Sequence, residues 1–356
     1  MLIELSRVER PYAAACHLHV GTDGRDRLLV VIKALLRTTT NGEFEQLRPS
    51  IRRMQKAHDT PRSSVRYASD LAPHKPGTEI VLVGHAVRPR AFPDAKPNDV
   101  GLAVHGSGLL LEKHLRVHGP RRYERRGQEV VAGQAALSED TPLRWEHAYG
   151  GVCPASGQSH RQNPVGVGFA LEPSAREGAL CPRIEARGAK SEAPAGFGPI
   201  HPTWEPRYGR RGTTGSDWVT TRAPLPPQDR HERYHCVAPD DQWLASPLVG
   251  RETFTVTGTE RDGMWLFSLP GSRPRVNVAS RLTAAIRPHL DTVSLDADKH
   301  TVELSYRVLL PNHVSPEMVT IETEDAATFE ERHGVADVAA LLGLGSPRVE
   351  TGDQML

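Results

Sequence analysis

The sequence predicts a mainly β protein: antiparallel sheets in a sandwich-like arrangement, a large ordered loop layer rich in Pro, Gly and Trp, and a short C-terminal helix. Three observations carry that reading. Runs of apolar, often β-branched residues bounded by turn signals recur on either side of the chain's middle, over 27–118 and 252–310. The middle itself, 142–230, is dense in Pro and Gly yet holds three of the five tryptophans, Trp145, Trp204 and Trp218. Disordered linkers share the Pro and Gly but lack the aromatics needed to offset ordering entropy. Beyond Pro316 the pattern changes, and 325–342 places Val335, Val338 and Leu342 on one helical face.

Taken in order, 27–47 (RLLVVIKALLRTTTNGEFEQL) is a buried strand, an Asn41-Gly42 turn and a shorter polar strand. A helix over 28–36 is the rival, but Val30, Val31, Ile32 and Thr38 to Thr40 favour strand. Leu47, Ile51 and Met54 have helical spacing that Pro49 interrupts. A strand is expected within 63–70 and another over 78–87, after the Pro76-Gly77 turn. The latter has Ile80 and Leu82 on one face and Val81 and Val83 on the other, which places it centrally in a sheet. Residues 100–105 and 109–118 pair across Gly106-Ser107-Gly108. After the loop layer come 252–259 and 264–269 around Arg261-Asp262-Gly263, a short strand at 275–279, and a hairpin of 290–295 with 301–310. The expected organisation is one β-rich body over 1–320 and a helix with a frayed tail over 321–356.

Composition narrows the function classes. A chain of 356 residues has no shortage of core, burying roughly three quarters of its unfolded surface. A formal charge of +1 gives no global field toward nucleic acid or an anionic membrane, so neither is expected as a partner. Four widely spaced cysteines (Cys16, Cys153, Cys181, Cys236) without a CxxC fit reduced thiols better than a disulfide framework. The N-terminus carries Glu4, Arg7, Glu9 and Arg10 where a secretion signal needs an apolar core, and no run reaches membrane-span length; a soluble, cytoplasmic protein is expected. Arg121, Arg122, Arg125 and Arg126 form the clearest basic cluster, readable as a docking site for an acidic partner or, more commonly, as a solvated loop.

The chemistry-bearing motifs each have a structural reading beside the functional one. His17 and His19 form an HxH pair that would share a strand face, with His235 and Cys236 as candidate further ligands; scattered structural histidines are favoured and no metal is expected. NPVGVGF (163–169) contains GxG, but without a preceding strand and a following helix it reads as a tight turn seating Phe169, not as a phosphate loop. Asp217, Asp229, Asp240 and Asp241 could include a catalytic carboxylate pair, against which Asp is a routine turn former. For partner contact the candidates are Trp145, Tyr149, Phe169, Phe197, Trp204, Arg207 and Trp218, because interface anchors are enriched in Trp, Tyr and Arg; glycine-flanked aromatics equally often pack on their own scaffold.

The run WEHAYGG (145–151), then NPVGVGF, PAGFGPI, the GT…DW block of 212–218 and APLPPQD (223–229), resembles the bacterial family called domain of unknown function 2169, found in type VI secretion gene clusters. SSVRYASDLAPHKPGTEIVLVGHAVRP (63–89) resembles that family's first half and LDTVSLDADKHTVELSYRVLLP (290–311) its closing strand pair, so the resemblance spans about 1–320. Departures are Tyr306 where the family usually has Trp, the stretch Gly119 to Tyr123, and GTTG at 212–215.

The resemblance implies a non-enzymatic adaptor or chaperone, without a cofactor, whose partners are a secreted effector and a spike protein of the valine-glycine-repeat type. Two other readings remain open. One is a hydrolase using Asp217, Asp229, His201 or His235, possible only if these converge in a pocket. The other is a structural component of the secreted particle.

Overall fold

A computed structural model describes residues 2–39, 42–73, 75–90, 98–137, 139–188, 192–279 and 284–325. The protein is mainly β, built from two packed sheets and several two- and three-stranded ones. The larger sheet runs in the order Ile3–Glu4, Ala13–Val20, Asp26–Thr38, Thr301–Pro311, His289–Asp296, Thr78–Val83 and Trp243–Leu244, with Phe44–Leu47 also paired to Asp26–Thr38. Asp26–Thr38 is a strand and not the rival helix, and its β-branched centre explains why: Asp26 to Lys33 pair with Ala13–Val20 and Arg27 to Arg37 with Thr301–Pro311. The turn before Phe44–Leu47 contains Gly42 at φ 80°, as the NG signal anticipates. His289–Asp296 and Thr78–Val83 are parallel, unlike the other pairs of this sheet; far apart in sequence, they have no hairpin to impose opposite directions.

The second sheet runs Ile184–Ala186, Leu109–Val117, Asn98–His105, Thr253–Thr257 and Met264–Ser268, all antiparallel. Both hairpins expected here are present. The two sheets share one core: Leu28, Val30, Ile32, Ile80, Leu82 and Leu304 from the larger meet Val100, Leu102, Leu115, Phe254 and Phe267 from the smaller. Phe254 and Phe267 stack with ring centroids 5.2 Å apart, a cross-strand pair that fixes this hairpin's register.

The larger sheet's other face is covered by chain rather than left to solvent. Thr78–Val83 is buried throughout, with Ile80 and Leu82 in the main core and Val81 and Val83 in a smaller cluster with Val237, Ala238, Tyr67 and Ala68. Apolar residues on both faces therefore reported a doubly covered strand. Its entry is the turn at Gly77, where φ is +67° and a Cβ would lie 2.0 Å from the Leu244 carbonyl oxygen, so no other residue fits.

Three expectations need revision or fall outside the description. The helical spacing of Leu47, Ile51 and Met54 forms no helix: Phe44–Leu47 and Lys56–Ala57 are strands, and Met54 is exposed. Pairing to the larger sheet outweighs a periodicity that Pro49 already interrupts. The helix expected over 325–342 falls on residues outside those described, except Asp325, which ends the strand Val319–Asp325. That strand pairs with Ser272–Val278, so the β body continues past residue 320. A hairpin of Tyr123–Arg126 with Glu129–Ala132 was not anticipated and places Arg125 and Arg126 of the basic cluster in a strand.

Candidate functional site

The loop layer is ordered by its aromatics, which point inward. Trp145 and Trp204 are buried and meet edge to face at 6.4 Å, and the Trp145 indole Nε1 donates to the Gly198 carbonyl at 3.1 Å. Gly196 lies against the Trp145 ring, where a Cβ would sit 3.1 Å from its carbons. Phe197 is fully buried; its carbonyl accepts from the Leu82 N–H at 3.3 Å, extending the larger sheet's hydrogen bonding into the layer. Arg207 is buried too, donating to the carbonyls of Ile200 (2.6 Å) and Tyr234 (3.3 Å). Tyr149 is buried, with Phe169 and His160 packed around it at 6.4 and 5.5 Å. Of the seven partner-contact candidates, Trp145, Tyr149, Phe197, Trp204 and Arg207 hold the layer to its scaffold, and only Phe169 and Trp218 are half-buried. Trp218 sits on the short helix Ser216–Thr221 and donates to the Leu225 carbonyl at 2.9 Å.

The GxG of NPVGVGF serves packing. Asn163 is fully buried and its Nδ2 donates to the carbonyls of Trp145 (2.8 Å) and Tyr149 (2.9 Å). This lets Tyr149–Gly150 pair in parallel with Val167–Gly168 and seats Phe169 beside Tyr149 and His160.

The catalytic candidates do not converge. Asp229 accepts from the Thr213 N–H and hydroxyl, Asp240 from Arg210 and Arg233, and Asp241 from Lys113. His201 bonds to Thr203, and the hollow that His235 lines includes neither Asp217, Asp229 nor His201. His17 and His19 share a strand face, but among the described residues no group of three His, Cys, Asp or Glu is placed to hold a metal ion. The cysteines are free and buried, and burial pushes the Cys236 thiol up to about 12. The basic cluster is engaged internally: Arg121 with Glu185, Arg125 with Glu177, Arg126 with Glu124, and Arg122 with the Gly178 carbonyl.

The sequence reading missed a buried charge network on the covered face of the larger sheet. Lys33, fully buried, lies 2.9 Å from Asp70 and 2.8 Å from Glu303; Arg52 bridges Glu303 to the same assembly. Lys33 and Arg52 hold the Asp70 carboxyl below the usual range although burial acts the other way. Glu79 pairs with Lys75 and accepts from the Val237 (2.5 Å) and Ala238 (2.9 Å) N–H groups, fastening the end of the loop layer to the sheet. Arg66, Tyr67 and Lys299 converge on Asp296 at 3.1, 2.7 and 3.2 Å beside a cleft of about 270 Å³. The available signal was a lone charge inside an apolar strand: Lys33 in LLVVIKALL and Glu79 in TEIVLV. Each ion is matched by an opposite one, so the network fastens covering chain to the sheet, although Arg66 Nε and Asp296 Oδ1 are buried without a partner among the described residues.

The unsatisfied surface is a sheet edge. Met264–Ser268 is the last strand of the smaller sheet, with no strand beyond it among the described residues. Trp265 and Phe267 point into the core, whereas Met264 and Leu266 are each 55% exposed. Leu266 lies opposite Thr255, and Thr255 opposite Ala103, so the outer face beside this edge is small and uncharged. Strand edges of this kind are usually blunted by charge or proline, and MWLFS has neither.

Among the described residues, no helix is long and apolar enough to cross a membrane. No curated protein and no solved structure matches the chain. The family model for DUF2169, described as an uncharacterized protein conserved in bacteria, matches residues 23–307, well over half of the chain, and the protein belongs to that family.

Proposed function

We propose that the protein is a non-enzymatic adaptor that holds an extended apolar segment of a secreted effector and helps load it onto the type VI secretion spike. The observation that carries this reading is the open, uncharged edge Met264–Ser268 with Met264 and Leu266 exposed. An extended segment added to such an edge gains main-chain hydrogen bonds, and its alternate side chains meet Met264 and Leu266. Covering that segment before secretion keeps it from aggregating. Release requires no ATP, only that the loaded spike bind the effector more tightly than the adaptor does. The separate placement of the candidates favours this reading over the hydrolase: Asp229 is engaged by Thr213, His201 by Thr203, and His235 lines a hollow that Asp217, Asp229 and His201 do not.

The test is co-expression with a candidate type VI effector and a spike protein of the valine-glycine-repeat type, followed by size-exclusion chromatography. Co-elution, with the effector soluble only when this chain is present and the complex lost in Leu266→Lys, is the expected result. Leu266 is exposed, so the variant should fold. Separate elution from a stable effector would remove the adaptor reading, and co-elution unaffected by Leu266→Lys would move the contact away from this edge.

A further inference from the structure

At one end of the larger sheet's covered face lies a hollow of about 360 Å³. Its floor is His19, Arg27 and Leu309, from three neighbouring strands; its walls are the turn at 21–23, Pro73 and the segment from Pro226 to His235. The turn and the segment are held in place. Gly21 donates to the Arg25 carbonyl at 3.0 Å, Arg222 donates to the Thr22 carbonyl, and Arg230 N–H donates to Pro227 at 3.3 Å.

The charged groups around this hollow fall into three kinds. Arg27 is neutralised by Asp23, with two contacts at 2.9 and 2.6 Å. Glu232 lines the hollow from its exposed rim, where solvent screens its charge. Among the described residues Arg230 has no carboxylate partner: its Nε reaches the Arg211 carbonyl at a long 3.4 Å and its guanidinium packs over the Tyr234 ring at 5.1 Å. The nearby Asp229 is turned away onto Thr213. Among the described residues no hydrogen bond engages the His19 or His235 ring, although both line the hollow, and the His231 Nδ1 accepts from Arg233 N–H. One unneutralised guanidinium and two uncommitted imidazoles thus face a common space.

We propose that this hollow is a binding site for a phosphate group, free or as a monoester, held by Arg230, His19 and His235. A guanidinium presents paired N–H donors to two phosphate oxygens, and imidazoles approaching from the other walls meet the remaining oxygens of a tetrahedral anion. A carboxylate has two oxygens and would leave one wall unmet. Burial, together with the charges of Arg230, Arg207 and Lys75, pushes His235 down to about 3; the field that disfavours a protonated imidazole favours a bound anion. This site stands apart from Met264–Ser268 and does not depend on the adaptor reading.

The test titrates inorganic phosphate into the full chain at constant ionic strength and pH 7, following the melting temperature and the imidazole C2–H resonances. A saturable rise in melting temperature is expected, with the His19 and His235 signals moving and their pKa values rising as phosphate binds. Arg230→Gln should weaken binding by at least about tenfold, the weight of a lost charge-assisted contact. Asp217→Asn, an exposed change outside the hollow, should leave it unchanged. If Arg230→Gln fails to fold, His19→Gln on the sheet floor carries the same expectation. A melting temperature rising without saturation, a variant binding like the parent, or acetate saturating as tightly as phosphate would each overturn the proposal.

Discussion

Lys113 Nζ donates to Gln242 Oε1 at 2.7 Å in the space between the two sheets. Lys113 sits at an inward position of Leu109–Val117, and Gln242 passes the connection on through Nε2 to the carbonyls of Ile80 (2.7 Å) and Phe197 (2.9 Å). The same ammonium binds the Gly196 carbonyl at 2.7 Å and Asp241 at 2.8 Å, so one lysine joins the smaller sheet, the loop layer and the larger sheet. Burial pushes it below the ordinary lysine value, with Asp241 acting in the opposite direction.

Lys113→Met should therefore destabilise by about 2–6 kcal/mol, since it takes a donor from two buried acceptors at about 1–3 kcal/mol each. Asp241→Asn should cost under about 1 kcal/mol, because the Asp241 side chain is mostly exposed. Urea midpoints of the two variants decide the matter. Equal losses would mean that the ion pair, not the amide contacts, holds the junction.

Trp145→Ala is expected to cost about 3–5 kcal/mol, as for a large buried aromatic, and Trp218→Ala about 1 kcal/mol. The contrast follows from position: Trp145 is buried against Trp204 and Gly196, whereas Trp218 is half-buried on a short surface helix. Limited proteolysis should show cleavage within 194–207 in the first variant and an unchanged pattern in the second. A Trp145 variant as stable as the Trp218 one would contradict its role in fastening the layer.

The strands were legible because their signal is local. Alternation in Leu109–Val117, the NG turn before Phe44–Leu47 and the doubly apolar Thr78–Val83 each need only a few neighbouring residues to be read. The aromatic loop layer was legible as ordered for the same reason, through glycines that must pass close to Trp145. Which way its aromatics face was not, because burial of Trp204 depends on strands far away in the chain. The charge network was hidden on the same grounds. Lys33, Asp70 and Glu303 are separated by long stretches of sequence, and only the sheet order brings them within 3 Å contacts. The hollow at His19 and Arg230 has the same origin: HxH was visible, but its neighbour Arg230 comes from the loop layer.

Lys33→Met tests the network directly. It leaves Asp70 and Glu303 buried with Arg52 as the cation they still share, and breaking a buried pair from one side costs about 3–5 kcal/mol. Adding Asp70→Asn should recover part of the loss, with an interaction term of about 1 kcal/mol or more in the double-mutant cycle. Strict additivity would show that Lys33 and Asp70 are not coupled.

The pH dependence of stability should divide into two windows. His58 and His235 are held down to about 4 and about 3, in each case chiefly by burial and then by neighbouring arginines. Unfolded histidine takes up its proton near pH 6.5, so as pH falls below that value the unfolded chain binds protons that the folded chain refuses. Stability is thus fully present above about 6.5 and falls toward 4, with a slope of up to about 1.4 kcal/mol per pH unit from His235 and less from the more solvated His58. Asp70 and Asp296 behave oppositely: their carboxyls are held low in the fold, so their contribution is present above about 4 and lost only below it. Urea midpoints between pH 7.5 and 4.5 in a phosphate-free buffer should decline, and His235→Phe should flatten the decline. In saturating phosphate the decline should also be shallower, because an anion beside His19 and His235 restores their affinity for the proton. A flat profile in the parent protein would mean that His235 titrates in the fold as it does in the unfolded chain, and would remove the cationic field on which the phosphate site depends.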